Sequence, residues 1–147
     1  MSGQNTSAYD IQPDALTLPF WAAAKDGRFI LPKCRSCGRF HFYPRAQCPY
    51  CASDDLTWSD AKTAGIIVSC TTVSRAPAPA FAADIPYTLA VVETTDGPCL
   101  FGRVIGSPNP KVGDHVEIGF EAAGNYPRVV FRMAGQDWRA FTSERSN

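Results

Sequence analysis

The chain has 147 residues, 45% of them hydrophobic, and its 14 basic and 14 acidic side chains cancel. That length suits one domain, or one domain with a small appendage, and the balanced charge argues against a strong non-specific nucleic-acid binder. The apolar runs are short, Gly65-Ile66-Ile67-Val68 being typical, so no membrane-spanning helix is expected. Met1 to Ser7 lack the basic-then-apolar pattern of a secretory leader; together with the cysteine usage described below, this points to a cytoplasmic setting.

Residues 1–16 are polar and mixed and read as a flexible or partner-ordered tail. Thr17 to Gly27 then reads as a short helix: proline is tolerated in a first turn, alanines propagate it, and Gly27 can take the left-handed position that stops it. About two turns do not stand alone, so this helix must dock, either on its own domain or on another protein. Phe20 and Trp21 give it a bulky apolar end, and Trp138 and Phe141 stand among polar residues near the other end of the chain. Large aromatics on terminal segments act as partner-interface anchors or as lids over the chain's own core; both readings are open for Phe20 and Trp21.

An extended stretch, Arg28 to Lys33, leads into Cys34-Arg35-Ser36-Cys37, and Cys48-Pro49-Tyr50-Cys51 follows ten residues on. Each Cys-x-x-Cys places two thiolates on one tight turn, and two such turns can face each other around one metal ion. Cys34, Cys37, Cys48 and Cys51 are therefore the expected ligands of one structural Zn²⁺, with the chemically similar rubredoxin-type iron site as the alternative. Gly38, after the second ligand, supplies backbone freedom for the knuckle. A site closed by four sulfurs has no open position to activate water; its work is to fold a segment too short for its own core. Lys33, Arg35, Arg39 and Arg45 flank the ligands and can offset the two net negative charges of a four-thiolate zinc centre. Cys70 and Cys99 fall outside the pattern, in β-like runs, and read as buried small hydrophobes.

After Trp58 the pattern turns to β: Ile66 to Val73, Tyr87 to Thr94, Cys99 to Ile105, Val116 to Phe120 and Val129 to Met133. Asp96-Gly97 marks a hairpin, and Val116, Ile118 and Phe120 alternate with polar neighbours as in a half-buried strand. Five strands without a long helix suit a small closed barrel, most economically an OB-fold. Arg75 to Pro86 is too proline-rich for a central strand and reads as a long surface loop. The fold class is thus mainly β, divided as 1–33 tail and docking helix, 34–58 zinc ribbon, 59–134 barrel and 135–147 C-terminal tail.

No Gly-x-Ser-x-Gly elbow, phosphate loop or dinucleotide fingerprint occurs. His41 and His115, the two histidines, have no identifiable nucleophile or orienting carboxylate beside them, so no catalytic residue is assigned and the chain reads as a binding module.

In this order, Phe20-Trp21, Cys34-x-x-Cys37-Gly38, Tyr43-Pro44-Arg45, Cys48-Pro49-x-Cys51, Trp58, Ala64-Gly65-Ile66-Ile67-Val68-Ser69, Pro86-Tyr87 and Val112-Gly113-Asp114-His115-Val116 resemble the DUF35 family, acyl-CoA-associated OB-fold proteins with a rubredoxin-like zinc ribbon. The resemblance spans residues 17–134. It implies a non-catalytic partner of a thiolase-like or aldolase-like subunit in a hetero-oligomer, completing or bridging an acyl-CoA site. Coenzyme A needs a flat surface for adenine and guanidinium or amide donors for phosphate. Arg45 beside Tyr43 is the preferred candidate, with Arg75 and Arg103 as second choices; charge compensation at the metal is the competing role for Arg45. A nucleic-acid-binding OB and zinc-ribbon module, and a rubredoxin-like electron carrier, are the alternative functions.

Overall fold

The computed structural model describes residues 10–107 and 109–134. Trp138, Phe141 and the first nine residues lie outside them. Among the described residues the elements are one helix, α1 (Leu18–Lys25), and seven strands: β1 (Ile30–Cys34), β2 (Leu56–Asp60), β3 (Ala64–Val73), β4 (Tyr87–Thr94), β5 (Cys99–Ile105), β6 (His115–Glu121) and β7 (Arg128–Met133). The chain divides into two compact units. The first runs to Lys62 and includes Asp96–Pro98 and Phe120–Arg128; the second holds Thr63–Thr95, Cys99–Gly119 and the residues from Val129 on.

In the first unit, α1 begins where Asp14 takes hydrogen bonds from the Thr17 amide and hydroxyl at 2.9 and 3.0 Å. Those two donors hold the Asp14 carboxyl below its ordinary range. The helix ends at Gly27, whose φ of +73° is left-handed, and the Arg28 amide returns to the Ala23 carbonyl. Its docking partner is the chain itself. Phe20, 2% exposed, packs against Phe42 and Phe120 at ring-centroid distances of 5.4 and 6.3 Å, so its ring fills a core and is not presented to solvent. Half-buried Trp21 lies 6.4 Å from the Tyr126 ring, which also carries the Lys25 ammonium at 4.2 Å. Part of the expected tail is tied down as well. The Asn125 side chain accepts from the Ile11 amide and donates to the Ile11 carbonyl, and its backbone amide donates to Asp10. Strands β1 and β2 pair antiparallel, setting Cys34 opposite Leu56.

The second unit is a closed barrel of order β3-β4-β5-β7-β6, the five-stranded OB arrangement expected from the runs after Trp58. β3 pairs antiparallel with β4 along its length and with β6 at Ala64 to Ile66, while β5 and β7 run parallel. A bulge between Ile67 and Ser69 bends β3 so that one strand serves both neighbours. Ile67, Val92, Leu100, Val116, Val130 and Phe131 fill the interior. The proline-rich connection contains a single 3-10 turn, Pro79–Phe81.

Two glycines let the barrel close. A Cβ on Gly65 would run into the Val92 side chain and lie 2.8 Å from the Glu93 carbonyl oxygen; one on Gly102 would lie 2.9 Å from the Val129 carbonyl oxygen. Either contact is too close for a carbon, and backbone cannot rotate away as a side chain can. Gly65→Ala should therefore destabilise the barrel by about 1–3 kcal/mol, read as a lowered midpoint in urea with an unchanged slope. A midpoint equal to the parent's would show that β3 and β4 can spread at no cost.

Candidate metal centre

The Cys34–Cys37 knuckle grows out of β1, and its backbone closes on itself. The Gly38 amide donates to the Cys34 carbonyl at 2.8 Å with Gly38 at φ +76°. The Cys37 amide points at the Cys34 sulfur at 3.5 Å. The second knuckle repeats the design: the Ala52 amide donates to the Cys48 carbonyl at 2.9 Å, and the Tyr50 amide points at the Cys48 sulfur at 3.4 Å. Ala52 stands where the first knuckle has glycine and takes φ +63° despite its Cβ. A hydrogen bond between the Ser36 and Ser53 hydroxyls, 2.8 Å, ties the knuckles together.

All four sulfurs fall within 4.8 Å of one another. Cys34 to Cys51 is 3.6 Å and Cys37 to Cys48 is 3.7 Å, far beyond a disulfide bond and close to the edge of about 3.8 Å for four sulfurs set tetrahedrally at the Zn–S distance. The donor set therefore fits one Zn²⁺, held by Cys34, Cys37, Cys48 and Cys51. When bound it supplies a structural crosslink and no reactive position.

The thiols already differ in acidity. The Cys37 amide is the largest influence on Cys34 and holds its thiol down at about 6. Burial pushes Cys48 up, but the Tyr50 and Cys51 amides outweigh it and the thiol lies below its ordinary value. At Cys51 the Ser53 amide pulls down, yet the neighbouring thiols and burial prevail and raise it to about 12. The first negative charge is thus easy to place in the cluster and the last is hard, which is the electrostatic demand a divalent cation meets.

The basic flank is largely engaged on its own unit. Lys33 lies over the Phe40 ring, Arg39 over Tyr50 at 4.9 Å, and Arg35 reaches Asp55 at 3.4 Å. Tyr43 is 52% exposed, and exposed Arg45 borders a concavity of about 690 Å³ with Gln47, Cys48 and Asp54. In the second unit, Arg75 is exposed. Arg103 is tucked in: its side chain is 10% exposed, 3.3 Å from Asp84, and stacked 4.0 Å from the Tyr87 ring. Arg45 and Tyr43 thus share a ribbon surface, while Arg75 and Arg103 belong to the barrel. Two cysteine readings need correction. Cys99 is exposed, because Leu100 takes the inward position on β5, and Cys70 is only half-buried, its thiol directed at the Pro110 carbonyl.

His41, read from the sequence as a surface or packing residue and not a general base, is 2% exposed, and neither ring nitrogen has a hydrogen-bond partner among the described residues. Burial, followed by the Arg45 charge, holds its imidazole below the ordinary 6.5. His115 stands exposed on β6.

A four-sulfur knuckle pair and a five-stranded barrel with a parallel β5–β7 pair define a zinc-ribbon OB-fold protein. Two family models match in succession: ChsH2, rubredoxin-like zinc ribbon domain, over residues 21–57, and ChsH2, C-terminal OB-fold domain, over residues 58–121. The chain belongs to the ChsH2 family of DUF35 proteins. A relative from Thermomonospora curvata, named probable enoyl-CoA hydratase alpha subunit, is 34% identical over 123 residues; the match takes in 78% of this chain but 37% of the relative's length. Among solved structures, one described as an Ltp2-ChsH2(DUF35) aldolase superposes with a TM-score of 0.76 at 28% identity, covering 85% of this chain and 99% of that one. A DUF35-family protein of unknown function from Sulfolobus solfataricus, 19% identical, shares the fold with a TM-score of 0.56 over 81% of this chain and 85% of its own.

Cys48→Ser should weaken zinc binding by more than the roughly 10–100-fold that losing an outer-shell partner costs. Most of the far-UV β signal should remain, since the barrel strands need no metal. Metal analysis after mild chelation is the readout, and full zinc retention would remove Cys48 from the ligand set.

His41 generates a pH prediction. The unfolded chain takes up a proton as pH falls through 6.5, whereas the folded chain resists it until lower pH. The neutral ring's contribution is therefore complete above 6.5 and lost on acidification toward the depressed folded value. His41→Phe keeps a buried ring without the titration, so its Tm should fall less steeply than the parent's between about pH 7.5 and 5.5. Parallel Tm–pH curves would assign the acid sensitivity elsewhere.

Proposed function

We propose that the chain is a non-catalytic subunit of an acyl-CoA enzyme, scaffolding a thiolase-like or aldolase-like subunit and completing its acyl-CoA site. The observation that carries this reading is the superposition over 99% of a chain in the structure described as an Ltp2-ChsH2(DUF35) aldolase. Its support from a second direction is the family relative named as a subunit of a probable enoyl-CoA hydratase, of which this chain spans 37%. Among the described residues, His41 is buried and neither of its ring nitrogens has a hydrogen-bond partner. The metal centre, closed by four sulfurs, offers no position for substrate.

For the acyl-CoA contact, the ribbon is the favoured surface. Exposed Tyr43 offers a ring for adenine, and Arg45, beside its open concavity, offers a guanidinium for phosphate. Arg75 is a second contact of the same chemistry. Arg103 is a weaker one, because Asp84 and Tyr87 already hold its guanidinium.

The purified chain alone should show no thiolysis, aldol cleavage or hydration of acyl-CoA substrates. The thiolase-like subunit purified with it should lose at least about tenfold in activity when stripped of the chain and regain it on recombination, with Arg45→Ala raising KM for acyl-CoA more than it lowers kcat. Turnover by the isolated chain would overturn the helper role.

A further inference from the structure

Strand parity sorts the barrel's side chains onto two faces. Ala90, Val92, Leu100 and Val104 point inward and are buried. Their neighbours point outward, and the register sets them in rows: Phe101 beside Val91, and Cys99 beside Glu93, which pairs with Ile66, which in turn pairs with His115. Val68 stands exposed at the β3 bulge. Ile66, Val68 and Phe101 are 39%, 41% and 64% exposed, so an apolar strip crosses the solvent side of β3, β4 and β5. A strand facing water normally carries polar residues at such positions. An aliphatic and aromatic cluster there marks a surface made to be covered.

The charges around the strip say what covers it. Glu93 lies next to Ile66, and Glu117 next to Ala64; both are exposed, and neither forms an ion pair among the described residues. Arg103, in the adjoining row, is held by Asp84. The border is therefore acidic. Beside the strip, a concavity of about 420 Å³ is lined by Ile66, Val68, Glu93, Thr95 and His115. Its apolar side chains and the Glu93 carboxylate among its lining suit an arginine or lysine whose methylenes lie on Ile66 and Val68 while its charged head reaches Glu93. An acidic border disfavours nucleic acid and anionic lipid, and it also disfavours a second copy of this chain, which would set one acidic rim against the other.

We infer that the outward face of β3–β4–β5 is the docking surface for the thiolase-like subunit, which presents an apolar patch bordered by basic side chains. Phe101 is the central anchor, and Glu93 is the charge that fixes register. This rests on the subunit reading above and adds to it which face is used and what it must meet.

The test uses the thiolase-like subunit retained by the untagged wild-type chain on purification, identified by mass, then separated and titrated against variants. Phe101→Asp should weaken binding at least about 30-fold, as loss of a central aromatic anchor does. Glu93→Lys should weaken it about fivefold or more and reduce its salt dependence. Val112→Asp, an exposed aliphatic on the turn before β6, serves as a control for added charge and should bind like the parent. Unchanged melting curves keep misfolding out of the result, which the exposure of both side chains makes the expected outcome. If Phe101→Asp and Glu93→Lys bind as tightly as the wild type, the face is overturned and the subunit role stands. If the wild-type chain retains no thiolase-like subunit, the subunit role falls and the docking face falls with it. If sedimentation shows wild-type dimers that Phe101→Asp turns into monomers, the face belongs to a second copy and the inference is wrong.

Discussion

Four sulfur atoms brought within 4.8 Å of one another would repel as thiolates, and they attract only through a shared cation. Much of the ribbon's architecture answers that constraint. Each knuckle aims backbone amides at its first sulfur, one strand delivers Cys34 in register, and a pair of serine hydroxyls clasps the two loops. The amides make the first charge cheap, while the crowding of like groups leaves Cys51 at about 12. A segment with few buried side chains thereby obtains a fixed shape from coordination in place of a hydrophobic core.

The barrel reaches rigidity by the opposite route. Its interior is filled by aliphatic side chains plus Phe131, and closure depends on missing atoms: Gly65 and Gly102 leave room for a carbonyl where any Cβ would collide. A rigid, metal-independent sheet can expose apolar residues on its outer side without collapsing onto them, because strand parity prevents those side chains from turning inward. The ribbon thus exposes polar and charged side chains around its sulfurs, while the barrel exposes Ile66, Val68 and Phe101 on its outer side.

Much of this was legible in the sequence. The paired Cys-x-x-Cys spacing named all four sulfurs, because ligand geometry leaves little freedom in such a short loop. The barrel strands were readable to within two residues, Ala64 against Ile66 and His115 against Val116, because β-branched runs between prolines and glycines leave few alternatives; β2, Leu56–Asp60, was not read as a strand. Long-range choices were not readable. The aromatic character of Phe20 says that it needs cover, but nothing local says that Phe42 and Phe120 supply it. The direction of the Cys99-Leu100-Phe101 run is ambiguous by one residue, since each side chain could face inward; only pairing with β4 decides that Leu100 does. Ala52 gave no sign of its left-handed backbone, because alanine seldom adopts it. The Asn125 clamp on Asp10 and Ile11 joins residues more than a hundred positions apart, beyond any periodicity.

The first unit is assembled from three separate stretches of chain, with Phe120 and Tyr126 arriving long after the helix they cover. This sets an order of events during synthesis. The two knuckles lie within 18 consecutive positions, Cys34 to Cys51, and can take metal as soon as that short loop has left the ribosome. Helix α1 can meet Phe42 early, but Phe120 and Tyr126, which complete its cover, arrive only after most of the barrel has been translated, and closing so long a loop must precede those contacts. The helix therefore stays partly uncovered until late in synthesis, and its aromatic end, Phe20 and Trp21, is the part a nascent chain would most need to have shielded.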